Sequence, residues 1–147
     1  MSRKFAAAAA TTLGLALTLG LASLSAADDE NPLEKGMEKV NAKFNTIKKA
    51  TRSAATWKKD GPGVPKAAEE ISKIGKQFRT DKGPAEAQKK TVAEWTKLMD
   101  DMIVASDEMA VLAAKTGTTQ PQAKDAWTKL NKTCADCHTV FRVDEDK

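Results

Sequence analysis

Apolar residues recur at alternating spacings of three and four along four stretches of the chain, and no stretch alternates apolar with polar residues as a half-buried strand would. The first stretch carries Leu33, Met37, Val40, Phe44, Ile47 and Ala54, with Thr51 filling the gap. Asn31 can cap it and Pro32 fits its first turn. The spacing predicts a helix running to about Lys59, where Asp60-Gly61-Pro62-Gly63 cannot continue one. A second predicted helix opens at Pro65, carries Ala68, Ile71, Ile74 (or Gly75) and Phe78, and ends at Asp81-Lys82-Gly83. The third opens at Pro84 and carries Val92, Trp95, Met99, Met102, Ser106, Met109 and Ala113, with Gly117 as its natural stop. The fourth opens at Pro121 and carries Ala123, Trp127, Leu130, Cys134, Cys137 and Phe141.

Each of these helices has a single apolar stripe, so none is stable alone and their shared interior must be the fold. Short glycine-containing connections favour antiparallel neighbours. The expected architecture is therefore all-α, an antiparallel up-down-up-down four-helix bundle. The 147 residues suit one domain, and no internal repeat is visible. The apolar content of four short stripes is modest for a core.

The first 27 residues read differently. Arg3 and Lys4 precede an Ala- and Leu-rich run from Phe5 to about Leu24, then the small residues Ser25-Ala26-Ala27, then acidic Asp28-Asp29-Glu30. That order is a secretory signal peptide over residues 1–27, leaving residues 28–147 as the domain. The competing reading is an N-terminal membrane anchor, since the run is nearly long enough to span a bilayer. Cleavage implies export to the periplasm and no membrane attachment afterwards. The formal charge of +4 falls to +2 once Arg3 and Lys4 leave with the leader, and the remaining basic residues are dispersed. Nucleic-acid binding is not expected from such a distribution.

Export would permit disulfides, but the only two cysteines stand three residues apart, where a bridge closes too short a loop to constrain the chain. Cys134-Ala135-Asp136-Cys137-His138 instead reads C-x-x-C-H, the attachment pattern for a c-type haem. Two thiols must reach two vinyl groups on one porphyrin edge, and the following imidazole must meet the iron from one face. Residues three and four apart share a side of a helix, so these three side chains form one reactive face. Cys134 and Cys137 are the candidate covalent haem attachments and His138 the candidate proximal iron ligand. Two other chemistries compete. A structural zinc site needs a fourth ligand, and the chain holds no other cysteine or histidine. A thioredoxin-like thiol pair expects a preceding strand and a βαβ context, which the pattern does not supply.

A C-x-x-C-H motif on the last helix of an exported four-helix chain resembles the class II c-type cytochromes, that is, the cytochrome c-prime family with its low-spin relatives. The family continues C-H-x-x-(Tyr or Phe)-Arg, and here the residues are Cys137-His138-Thr139-Val140-Phe141-Arg142. Trp95 looks like the family's aromatic within the third helix. The resemblance spans roughly residues 30 to 143 and implies one covalently attached haem c. It makes Arg142 a candidate haem contact, Trp95 a residue packing against the haem, and a homodimer through the first two helices plausible. Met37, one helical turn into the first helix, falls where the family's distal residue sits, which makes it a candidate distal iron ligand. One departure stands out: many family members carry an arginine one turn earlier, and that position here is Leu33.

Met99, Met102 and Met109 fit core filling around a bulky group better than a sulfur box. Trp57, Trp95 and Trp127 fit core packing better than an electron path, and Lys129, Lys132 and Arg142 are more simply a solvated face than a steering patch. One haem and no substrate domain suggest an electron carrier with an unidentified redox partner protein. The alternatives are a high-spin cytochrome c-prime that binds nitric oxide or carbon monoxide at a five-coordinate haem, and a non-haem metal-binding helical module. Enzymatic activity is not expected, since the only histidine is committed to iron and distal acid–base groups are wanting.

Overall fold

The computed structural model describes residues 31–142, and every regular element among them is helical. The predicted leader, residues 1–27, lies outside the described residues. Four long helices, α1 (Pro32–Ala50), α3 (Val64–Phe78), α5 (Val92–Ala114) and α6 (Gln120–Phe141), are joined through two short ones, α2 (Ala54–Asp60) and α4 (Gly83–Ala87). A 3-10 turn at Gly61–Gly63 links α2 to α3. No described helix is long and apolar enough to cross a membrane.

Local chemistry sets the ends. The Asn31 side chain accepts the Leu33 N–H at 3.0 Å, and Pro32 occupies the first turn of α1, as expected. The first predicted helix does not run unbroken to Lys59. It stops at Ala50, where the Thr51 hydroxyl donates back to the Ile47 carbonyl at 3.0 Å. Ser53 then turns extended and starts α2 with a reciprocal cap, its hydroxyl accepting from Thr56 N–H at 3.2 Å while Thr56 Oγ1 accepts from Ser53 N–H at 2.9 Å. The third predicted helix does not open at Pro84 either. Pro84 belongs to the one-turn helix α4, Lys89 breaks the chain with a φ of 53°, and Thr91 with Glu94 caps a fresh start at Val92. The fourth prediction fits, with Pro121 in the first turn of α6.

The contacts order the helices as α1–α3–α5–α6, with α5 between α3 and α6. Neighbours are antiparallel. Lys43 pairs with Glu70 and Gly36 meets Phe78 across α1 and α3, while Lys76 pairs with Asp107 and Arg79 with Asp100 across α3 and α5. Trp95 near the start of α5 meets Phe141 at the end of α6. The predicted stripes form the core, with Ile47, Ile71, Met109 and Leu130 essentially fully buried, except that Ala54 is exposed because the first helix breaks before it. Gly75 matters on α3, because a methyl group there would stand 2.8 Å from Ile103 Cγ1 and 3.0 Å from Met102 Cε, so glycine lets α3 and α5 close.

The two ends of this assembly differ. Where α1 ends and α6 begins, side-chain-to-backbone bonds tie distant segments together. Trp57 Nε1 donates to the Thr118 carbonyl at 2.8 Å, and Gln120 Nε2 donates to the Thr51 carbonyl at 2.6 Å. Along their length α1 and α6 touch far less than the α1–α3, α3–α5 and α5–α6 pairs do.

Candidate functional site

The seam between α1 and α6 closes at Phe44 and Trp127, whose rings lie 5.7 Å apart at 31°. Beyond that pair toward the start of α1 the helices part around a cavity of about 660 Å³, within the range of small-molecule and cofactor sites. Leu33, Met37, Val40 and Phe44 face it from α1, and Leu98, Met99 and Met102 from α5. Asp81, Gly83, Pro84, Ala87 and Gln88 in and around α4 complete a third side. From α6 come Asn131, Cys134, Ala135, Cys137, His138 and Phe141, with Arg142 just past the helix end.

All six residues singled out from the sequence, Met37, Trp95, Cys134, Cys137, His138 and Arg142, line this one cavity. Both cysteines are free thiols and half-buried, whereas His138 is exposed. Burial pushes both thiols up, with the neighbouring Cys134 adding to the effect at Cys137, which reaches about 11. With no charged partner beside them, such thiols stay protonated at neutral pH. On the solvent side of the motif Lys132 pairs with Asp136 at 2.6 Å, one helical turn apart. This pair leaves the cavity side of α6 to the thiols and the imidazole.

Trp95 is buried and doubly fixed. Its indole N–H donates to the Phe78 carbonyl at 2.9 Å, and its ring stands edge-on to Phe141, 5.3 Å away at 81°. The Arg142 N–H caps α6 on the His138 carbonyl at 3.3 Å, so the backbone at the iron-ligand candidate is held by the residue after Phe141. Leu33, one turn before Met37, also faces the cavity and adds apolar surface.

Sequence reasoning placed the α5 methionines in the core. They are buried, Met99 and Met102 at 2% and 6% exposure, but these two also line the cavity, whereas Met109 does not. The contribution of the α4 segment was missed altogether, and the Thr91-x-x-Glu94 capping box was the signal that would have freed Pro84 from the long helix.

Comparison with protein-family models, with curated proteins and with solved structures finds no match to this chain. Among the described residues no group of three or more His, Cys, Asp or Glu side chains is arranged to hold a metal ion. The donor chemistry of the cavity nevertheless fits a haem. It combines two thiols and an imidazole on one helix, a thioether on another helix that lines the same cavity, mostly apolar walls, and a guanidinium at the helix end.

Proposed function

We propose that the cavity takes one haem c, and that the chain is an exported electron-transfer protein of the class II c-type cytochrome kind, built as a four-helix bundle closed around that group. The observation that carries this reading is convergence. The three C-x-x-C-H side chains and Met37, nearly a hundred residues apart in sequence, line one cavity at the open seam. Cys134 and Cys137 hold the haem covalently, His138 is the proximal ligand and Met37 the distal one. The iron would supply one-electron redox chemistry, with His/Met ligation raising its reduction potential. Val40, Phe44 and Leu98 would offer the bound group apolar walls that exclude water, and Arg142 would bring a positive charge to the cavity that could meet the group's carboxylates. The absence of a fourth cysteine or histidine ligand in the cavity weighs against a structural zinc site, and the helical surroundings weigh against a thioredoxin-like pair.

Intact mass and optical spectra test it. Protein made with a working haem-attachment system should carry one haem mass that survives acid-acetone extraction, on a chain starting near Asp28. Its spectrum should be low-spin with a methionine–iron charge-transfer band, and Met37→Ala should turn it high-spin and open to carbon monoxide. A chain with no covalent haem sinks the proposal. A five-coordinate, high-spin spectrum in the unmutated protein removes Met37 as ligand and moves the gas-binding reading ahead.

A further inference from the structure

We infer that Gly36 is a positioning residue of this site: lacking a side chain, it lets α1 rest against the Phe78 ring, and that contact sets where Met37 stands over the cavity. The inference rests on the haem reading above and deepens it.

Glycine within a helix costs about 0.5–1 kcal/mol relative to alanine, and Gly36 lies inside α1 with ordinary helical neighbours. Something must offset that cost. Gly36 is buried against α3, and a methyl group built on it would overlap Phe78 Cε2, with Phe78 Cδ2 and Cζ each at 3.2 Å. The ring has little room to yield. Phe78 is 9% exposed, and its carbonyl is the acceptor that holds the Trp95 indole at 2.9 Å. Trp95 in turn is pinned edge-on by Phe141. A chain of contacts thus runs from α1 through Phe78 on α3 and Trp95 on α5 to Phe141 on α6. Phe78 does not itself line the cavity, so it acts through its neighbours. The residues flanking this chain are Met37, next to Gly36, and His138, three residues before Phe141. Through these contacts the Gly36–Phe78 approach bears on where Met37 stands relative to α6.

The consequence does not depend on whether Met37 ligates iron or only crowds it. A side chain at position 36 must push the first turns of α1 off α3, carrying Met37 with them, unless the Phe78 ring turns aside. The experiment is the carbon monoxide association rate of the haem-loaded protein. Gly36→Ala should raise it several-fold, because Met37 no longer stands where the unmutated helix holds it. Adding Phe78→Leu, which removes the ring edge and keeps the carbonyl, should return the rate toward that of the unmutated protein. Ile47→Val, in the closed end and away from the cavity, should lower stability and leave the rate alone. If Gly36→Ala alone takes up no haem, recovery of loading by the second substitution supports the same conclusion. An unchanged rate in loaded Gly36→Ala overturns the inference and leaves the haem reading standing. So does a change in rate or loading that Phe78→Leu fails to reverse. Absence of haem from the unmutated chain is the separate result that sinks both.

Discussion

The same helices make two very different ends. At the end holding Ala50, Val64, Met109 and Ala123 the core is closed: these side chains are essentially buried, and the connections are tied across by Trp57 and Gln120. At the end holding Met37, Cys134 and Cys137 the stripes continue but meet a void, and three of the four long helices face it. Side chains lining a void forgo dispersion contacts on that side. One end is thus complete in its own side chains, and the other opens on the cavity where the proposed haem would sit as a guest. Stability within one domain need not be uniform. Here the difference falls between the two ends of the same helices, because α1 and α6 part beyond Phe44 and Trp127.

Removing the guest is the strongest way to test this contrast. In a chain with both Cys134→Ala and Cys137→Ala, amide exchange should quicken about a hundredfold in the cavity-facing halves of α1 and α6. Amides of α3 and α5 near Val64 and Met109 should change least. Equal loss along every helix would show that the two ends unfold as one unit and that the contrast carries no energetic meaning.

A pair of truncations sharpens it. Met109 is fully buried and off the cavity, whereas Leu98 is half-buried and lines it. In the haem-free chain Met109→Ala should cost about 3 kcal/mol, in the usual range for core truncation. Leu98→Ala should cost about 1 kcal/mol or less, because part of its surface already faces empty space. Urea midpoints measure both, and equal costs would contradict the picture of a loose end.

The smallest expected effect is electrostatic and belongs to the closed helix pairs. The Glu70 carboxylate is held below its ordinary value by Lys43, Asp100 by Arg79, and Asp107 by the Ser72 hydroxyl and then Lys76. A depressed folded-state value means stability that is complete above the unfolded carboxylate range and lost as pH falls through the folded values. The denaturation midpoint should therefore drop modestly as pH falls from about 5 to about 3. A rise over that interval would contradict these assignments.

The stripes, the C-x-x-C-H face and the cap at Asn31 were legible because each is a local pattern: a period, a spacing, a side chain beside a helix start. Two helix boundaries were not. Thr51 sits at a stripe position, so its hydroxyl's competition for the Ile47 carbonyl was hidden by its place in the period. Pro84 reads as a helix start, and it is one, but of a single turn that Lys89 ends. The cavity was legible only in part. Met37 and the α6 motif could be placed by position along their own helices. Met99 and Met102 reach the same space because α5 packs between α3 and α6, a tertiary placement that no single helix's periodicity encodes. Gly36 was invisible for a similar reason: alone it is a poor helix former, and only the Phe78 ring gives it meaning.

The parting of α1 from α6 also bears on the order in which the chain comes together. The α3–α5 and α5–α6 contacts join segments near one another in sequence, while Phe44 and Trp127 are more than eighty residues apart. Loop-closure entropy rises with that separation, so this seam is the costliest junction to draw shut and the one expected to close late. The C-x-x-C-H motif lies on the α6 side of that seam. If the proposed haem is fastened there before α1 docks, closing the seam and burying the group become one event.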